Sequence, residues 1–125
     1  MITINDVLIL HEMIIQKFGG TSGIRDISLL ESAVNRPFST FDGNDLYPTV
    51  IEKAGAIFES LIINHPFIDG NKRTAYVTML ILLKQKNFNL ICSEDEKYKF
   101  VIAASKGEYD IESIKEWLRT NTEKT

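Results

Sequence analysis

Nine consecutive residues, His65-Pro66-Phe67-Ile68-Asp69-Gly70-Asn71-Lys72-Arg73, bring together a proton acceptor, a carboxylate, a glycine, an amide and two cations. They lie between two apolar stretches of helical periodicity, and Pro66 and Gly70 oppose a continuous helix through them. His65 and Asp69 are therefore not a simple pair on one helix face. The loop instead delivers its backbone to the start of the next helix, where unpaired N–H groups and the positive dipole end favour an anion. Gly70 lets a ligand approach that backbone with no Cβ in the way. Asn71, Lys72 and Arg73 add hydrogen bonds and two positive charges where the dipole already disfavours cations, which fits a compensating anion, polyphosphate above all. Asp69 beside it suits Mg²⁺, which is commonly bound by one or two carboxylates with phosphate oxygens and water. His65, as a neutral imidazole, suits the acceptance of a hydroxyl proton. Phe67 is expected to point inward and anchor the loop.

Each of these residues also has a plain structural reading. His65 alone could cap a helix C-terminus, Asp69-Gly70 alone is a turn, and Lys72 and Arg73 alone are a solvated face. Their order at a helix start is what structural needs do not explain.

The elements around the motif read as helical almost throughout, since apolar residues recur at spacings of three and four. Thr3 with Asp6 forms a capping box for a helix over about residues 4–18, closed by Gly19-Gly20. Ser28 with Glu31 opens a short helix that must end near Pro37. Residues 38–47, around Asp42-Gly43, read as an exposed hairpin or loop. Pro48 suits the first turn of a helix that runs to Asn64, and the pattern restarts at Asn71 and continues to Lys86. That last helix is apolar on so many sides that it is expected at the centre of the bundle. Residues 88–92 are an extended link, Ser93 with Glu96 starts a helix that stops near Gly107, and Asp110 caps a final one. Residues 120–125 are polar and expected to fray. His11 reads as a surface or partner-packed residue, Cys92 as a small buried hydrophobe, and Tyr98, Trp117 and the phenylalanines as core. The fold class is all-α: one domain over residues 1–125, an orthogonal bundle of about six helices.

Composition fits a single core, with 125 residues, 44% hydrophobic and 25% charged. Fourteen Lys plus Arg against seventeen Asp plus Glu give a net charge of -3, the wrong balance for direct DNA binding, so a phosphate-capturing nucleic-acid module is the weakest reading. One cysteine excludes an intrachain disulfide and a Cys-rich zinc site. The longest apolar run, Ala75 to Leu83, is far short of the ~20 residues a membrane span requires, and no signal peptide is evident, so a cytoplasmic, non-membrane protein is expected.

The stretch His65 to Arg73 resembles the Fic/Doc superfamily motif, H-x-F-x-D/E-G-N-x-x-R, and most closely its Doc (death-on-curing) variant, in which a lysine precedes the arginine. Lys17-Phe18-Gly19-Gly20, Gly23-Ile24-Arg25-Asp26 and Leu29-Leu30-Glu31-Ser32-Ala33-Val34 are similar to the Doc N-terminal region, so the resemblance covers essentially the whole chain. It implies the Fic/Doc fold, with residues 38–47 as a flap on which a target chain docks. It implies His65 as the base, Asp69 as the Mg²⁺ and substrate-positioning carboxylate, and Gly70, Asn71, Lys72 and Arg73 as the phosphate cradle for ATP. Lys72 stands where adenylylating Fic enzymes have a second glycine, and Tyr76 where they carry a second arginine. In Doc relatives these changes accompany a reversed ATP, whose γ-phosphate faces the target. The resemblance thus implies a toxin kinase acting on a threonine of elongation factor Tu and halting translation, with AMP transfer onto a protein hydroxyl as the alternative. No inhibitory Ser/Thr-x-x-x-Glu helix segment followed by Gly or Asn occurs in the chain, which implies inhibition by a partner antitoxin that orders on binding.

Overall fold

Thr3 accepts a hydrogen bond from the Asp6 N–H while the Asp6 carboxylate accepts one from the Thr3 N–H, and this capping box starts α1 (Ile4–Phe18). The structure, a computed structural model, describes residues 1–125. α2 (Ile27–Asn35) is capped by Asp26 and not by the expected Ser28, because the Asp26 carboxylate takes the Leu29 N–H at 3.2 Å. A 3-10 turn, Arg36–Phe38, absorbs Pro37. The Asp42-Gly43 signal is a hairpin, β1 (Thr40–Phe41) paired antiparallel with β2 (Asn44–Asp45), and both turn residues have positive φ, 51° and 78°.

α3 (Val50–Asn64) is capped by Thr49, which leaves Pro48 just outside the helix. α4 (Asn71–Lys84) follows after the motif loop and ends before Lys86. β3 (Phe88–Leu90) comes next, then α5 (Glu94–Ser105), capped by Ser93, and α6 (Ile111–Asn121), started by an Asp110–Ser113 capping box. The tail expected to fray forms β4 (Thr122–Lys124) and pairs antiparallel with β3, Phe88 opposite Lys124 and Leu90 opposite Thr122. Three polar residues carry no periodic signal of a strand; backbone bonds to residues 88–90 hold them in place.

The central helix is α3 rather than α4. It packs against α2, α4, α5 and α6, and residues 54–62 are buried apart from Glu59. Ala54, Gly55 and Ala56 allow the neighbours to close in: a Cβ on Gly55 would stand 3.3 Å from Ile114 Cγ2 on α6. α4 has the more continuous apolar run, but α3 is the more hydrophobic helix overall, so the continuity of a run is a poor guide to the centre. An aromatic cluster joins α3, α5 and α6: Phe100 stacks on Trp117 with centroids 3.8 Å apart and on Phe58 at 5.2 Å, and meets the edge of Tyr109. Other aromatics depart from the core assignment, since Phe18, Phe41 and Tyr98 are exposed, and Cys92 is only partly buried. No helix is long and apolar enough to cross a membrane.

Phe100 is 1% exposed and touches aromatic partners on both sides. Phe100→Ala is therefore expected to lower stability by about 3–5 kcal/mol in urea titration, and a loss below about 1 kcal/mol would show that the cluster does not hold the helices together.

Candidate active site

α3 stops at Asn64, and His65 takes the C-cap position in the left-handed region, φ 49° and ψ 60°. Its backbone thus does what the plain cap reading expects, while its exposed side chain lines a cavity of about 790 Å³. The same cavity takes in Asp69, Gly70, Asn71, Lys72 and Arg73, so the structure brings all six motif residues together.

Four sets of contacts shape the loop between α3 and α4. Phe67 is buried as expected, and its ring stacks on His11 with centroids 3.8 Å apart. His11 is no surface residue: it is 3% exposed, and its Nε2 donates to the Asp69 carbonyl at 2.8 Å. The spacing of Val7, His11, Ile14 and Ile15 puts it on the buried face of α1, a periodicity legible in the sequence. Asn71 grips Phe67 twice, donating from Nδ2 to its carbonyl at 2.9 Å and accepting its N–H at Oδ1 at 3.0 Å. That side-chain amide is therefore engaged by the loop, and what Asn71 presents at the start of α4 is its backbone N–H.

The third set comes from residues 19–26, which lie along the loop as a short antiparallel partner. Ile24 bridges Phe67, the Arg25 and Asp26 N–H groups donate to the Pro66 carbonyl, and the Ile68 N–H donates to the Gly23 carbonyl. The Arg25 guanidinium donates from Nε to the His65 carbonyl at 2.6 Å and from Nη2 to the Asn64 carbonyl at 2.5 Å. In the fourth set, Asp69 accepts the Gly70 N–H at 2.8 Å and the Thr21 N–H at 3.1 Å, one on each oxygen. Gly20 makes room for this, since a Cβ there would lie 2.7 Å from Asp69 Oδ2.

Five of the six α-helices begin with a side-chain cap, from Thr3, Asp26, Thr49, Ser93 and Asp110; α4 begins with Gly70 at φ 77° and has none. The N–H groups of Asn71, Lys72 and Arg73 consequently meet no protein acceptor. Lys72 and Arg73 are exposed and join no ion pair, although the Arg73 guanidinium lies 3.9 Å from the Phe18 ring centroid. Free donors, a positive dipole end and two unpaired cations converge beside His65, an arrangement that can stabilise a phosphate and hold its charge during transfer. Asp69 fits a magnesium ion by chemistry: an exposed carboxylate whose oxygens each accept a single N–H has lone pairs left for Mg²⁺, phosphate oxygens and water completing the shell.

The opposite wall of the cavity is α5, through Lys97, Tyr98, Val101 and Ile102, with Tyr76 from α4 between the two walls. Burial pushes the Tyr76 hydroxyl pKa up, so the group stays protonated at neutral pH. Lys97 is held by Glu94 at 2.8 Å. No residue of the 38–47 hairpin lines the cavity. Its base is tied to Lys53, which reaches the Asp45 carboxylate and the Tyr47 carbonyl in the first turn of α3, at the far end of that helix from His65.

Sequence reasoning about the nine-residue motif missed Phe18, Gly20, Thr21, Arg25 and His11. The first four fall in or beside the Lys17–Gly20 and Gly23–Asp26 segments noted above for their resemblance, and they are the motif's scaffold. The α5 wall had no signal of its own, because its cavity residues read as ordinary helix.

Residues 1–83, which contain α1 to α3, the whole motif loop and all but the last residue of α4, match the Fic/DOC family. Over 78 residues the chain is 42% identical to Toxin Doc of Mycolicibacterium smegmatis, a match covering 62% of this chain and 60% of that protein's length. Over 114 residues it is 25% identical to Protein kinase doc of Escherichia phage P1, covering 91% of this chain and 89% of the phage protein. With the family match extending over more than half its length and taking in every residue of the uncapped helix start, the chain belongs to the Fic/DOC family.

Proposed function

We propose that this chain is the toxin of a toxin–antitoxin pair and acts as a protein kinase. It transfers the γ-phosphate of ATP to a Thr or Ser hydroxyl of a translation factor, elongation factor Tu, and so inhibits translation in the cytoplasm. The observation that carries the reading is the start of α4, the one uncapped α-helix, with unpaired Lys72 and Arg73 in the same cavity as His65. The names of the similar proteins, a toxin and a protein kinase, support it.

In this mechanism His65 accepts the proton of the target hydroxyl as its oxygen attacks the γ-phosphorus. The bond from phosphorus to the β–γ bridging oxygen breaks, and ADP leaves. The N–H groups at the start of α4 with Lys72 and Arg73 stabilise charge on the transferring group. Phe18 stacks against Arg73 and limits its rotation. Asp69 would hold Mg²⁺, which supplies charge neutralisation of the polyphosphate. A side chain at position 72 occupies room that an α-phosphate would need, and Tyr76 offers no second guanidinium; both favour γ-phosphate transfer over nucleotidyl transfer. The partner antitoxin covers the cavity with a segment that orders on binding.

ATP labelled at the γ position is expected to label purified elongation factor Tu, with the target gaining the mass of one phosphate and ADP released. Label arriving from the α position, with pyrophosphate release, would replace the kinase reading by AMP transfer. His65→Ala is expected to lower transfer by about 10²–10⁴-fold and to relieve growth arrest, with the thermal midpoint nearly unchanged, since the side chain is exposed. Lys72→Gly is expected to weaken phosphorylation in the same assay, and an undiminished rate would remove Lys72 from the phosphate cradle.

A further inference from the structure

One residue outside the motif satisfies three successive carbonyls around the proposed base. Arg25 donates from Nη2 to Asn64 O at 2.5 Å, from Nε to His65 O at 2.6 Å, and from its backbone N–H to Pro66 O at 2.7 Å. These oxygens belong to the last residue of α3, to the left-handed residue that ends it, and to the proline that prevents its continuation. A left-handed conformation is unfavourable for a residue with a Cβ and persists where its surroundings hold it. A helix C-terminus is also the negative end of the dipole, so a guanidinium is the complementary group there. Its planar fork presents two donors to neighbouring oxygens in a fixed geometry, whereas an ammonium is a compact charge on a flexible stem.

The His65 imidazole is exposed and makes no hydrogen bond within the protein, so the backbone that carries it is what fixes the place from which the ring projects. On the far side of the loop, the Asp69 carbonyl is held by His11 and the Phe67 backbone by Asn71. On the His65 side, Arg25 is the side chain that performs this task.

We infer that Arg25 is the positioning residue of the base: by fixing the carbonyls of residues 64–66 it locks His65 in its left-handed turn and aims the imidazole at the start of α4. This role rests on the kinase reading above, in which His65 accepts the proton. Arg25 also lines the cavity, yet its Nε and Nη2 are engaged by the two carbonyls, so its loss should act on turnover more than on nucleotide binding.

The experiment uses the full chain as wild type, Arg25→Ala and Arg25→Lys. Arg25→Ala is expected to lower kcat by about 10- to 100-fold, the scale of a displaced reacting group. KM for ATP is expected to stay within about twofold of wild type, because the donors at the start of α4 are untouched. Arg25→Lys should recover part of the rate, and methylguanidine added to Arg25→Ala should recover more, with no such rescue of His65→Ala. The chain has two histidines, so their ring resonances are separable by substitution. In Arg25→Ala the His65 signals are expected to broaden or split while those of His11, held by Asp69 and Phe67, stay in place.

An unchanged kcat, or a rate loss that matches a fall in folded fraction without rescue and with unaltered His65 signals, would overturn the assignment. If the wild-type chain transfers no phosphate, the kinase reading fails, and the ring spectra still decide Arg25: undisturbed His65 signals would reject it.

Discussion

Between Asn64 and Asn71 the chain leaves one helix and enters another, and the two hydrogen bonds between the Asn71 side chain and the Phe67 backbone make the exchange possible. A loop of this kind exposes its own N–H and C=O groups, and each one left unpaired and buried would cost about 1–3 kcal/mol. Asn71 removes two of those liabilities at once from the first turn of the helix that the loop must start. The loop and α4 are therefore joined at the moment the helix forms. With Phe67 held in the core against His11, the residues on either side, His65 and Asp69, are forced outward into the cavity.

Other polar groups of the loop are satisfied by a segment about forty residues away in sequence, residues 19–26, which runs beside it as one short strand-like pairing. The site thus cannot assemble from α3 and α4 alone; α1 and α2 must be docked before the connection between them lies on the motif. Against this dense pairing, the absence of any cap on α4 stands out as selective. The other five helix starts are closed by Ser, Thr or Asp side chains, whereas the one that follows the motif loop begins with glycine. Leaving three N–H groups open in a protein with an overall charge of -3 concentrates positive potential in a single place.

Much of this was legible in the amino-acid order. Helix starts marked by Thr3, Ser93 and Asp110 stand where their side-chain chemistry puts them, and the motif residues converge as their spacing implies. What was illegible has physical causes. Competition between two capping candidates, Asp26 and Ser28, is decided by which oxygen reaches Leu29. The β3–β4 pairing depends on backbone bonds that leave no mark in side-chain periodicity. The continuity of an apolar run, which favours α4, does not measure how closely neighbours can approach, and the small residues at 54–56 allow that approach on α3. His11 was misjudged because a polar residue on an apolar face is silent about its partner, which turned out to be the carbonyl of Asp69.

Gly20 gives exposure a different meaning at this surface. The residue is open to solvent, a setting in which substitution ordinarily changes stability by no more than about 0.5 kcal/mol. Yet its backbone has φ 122°, and any side chain there would press on the carboxylate of Asp69 from a loop 49 residues upstream. Tolerance to mutation at this position is consequently governed by its left-handed backbone and by closeness to Asp69 and Ile15, and has little to do with depth below the surface. A drift in sequence at position 20 would first register as a displaced acid in the cavity, with the rest of the fold intact.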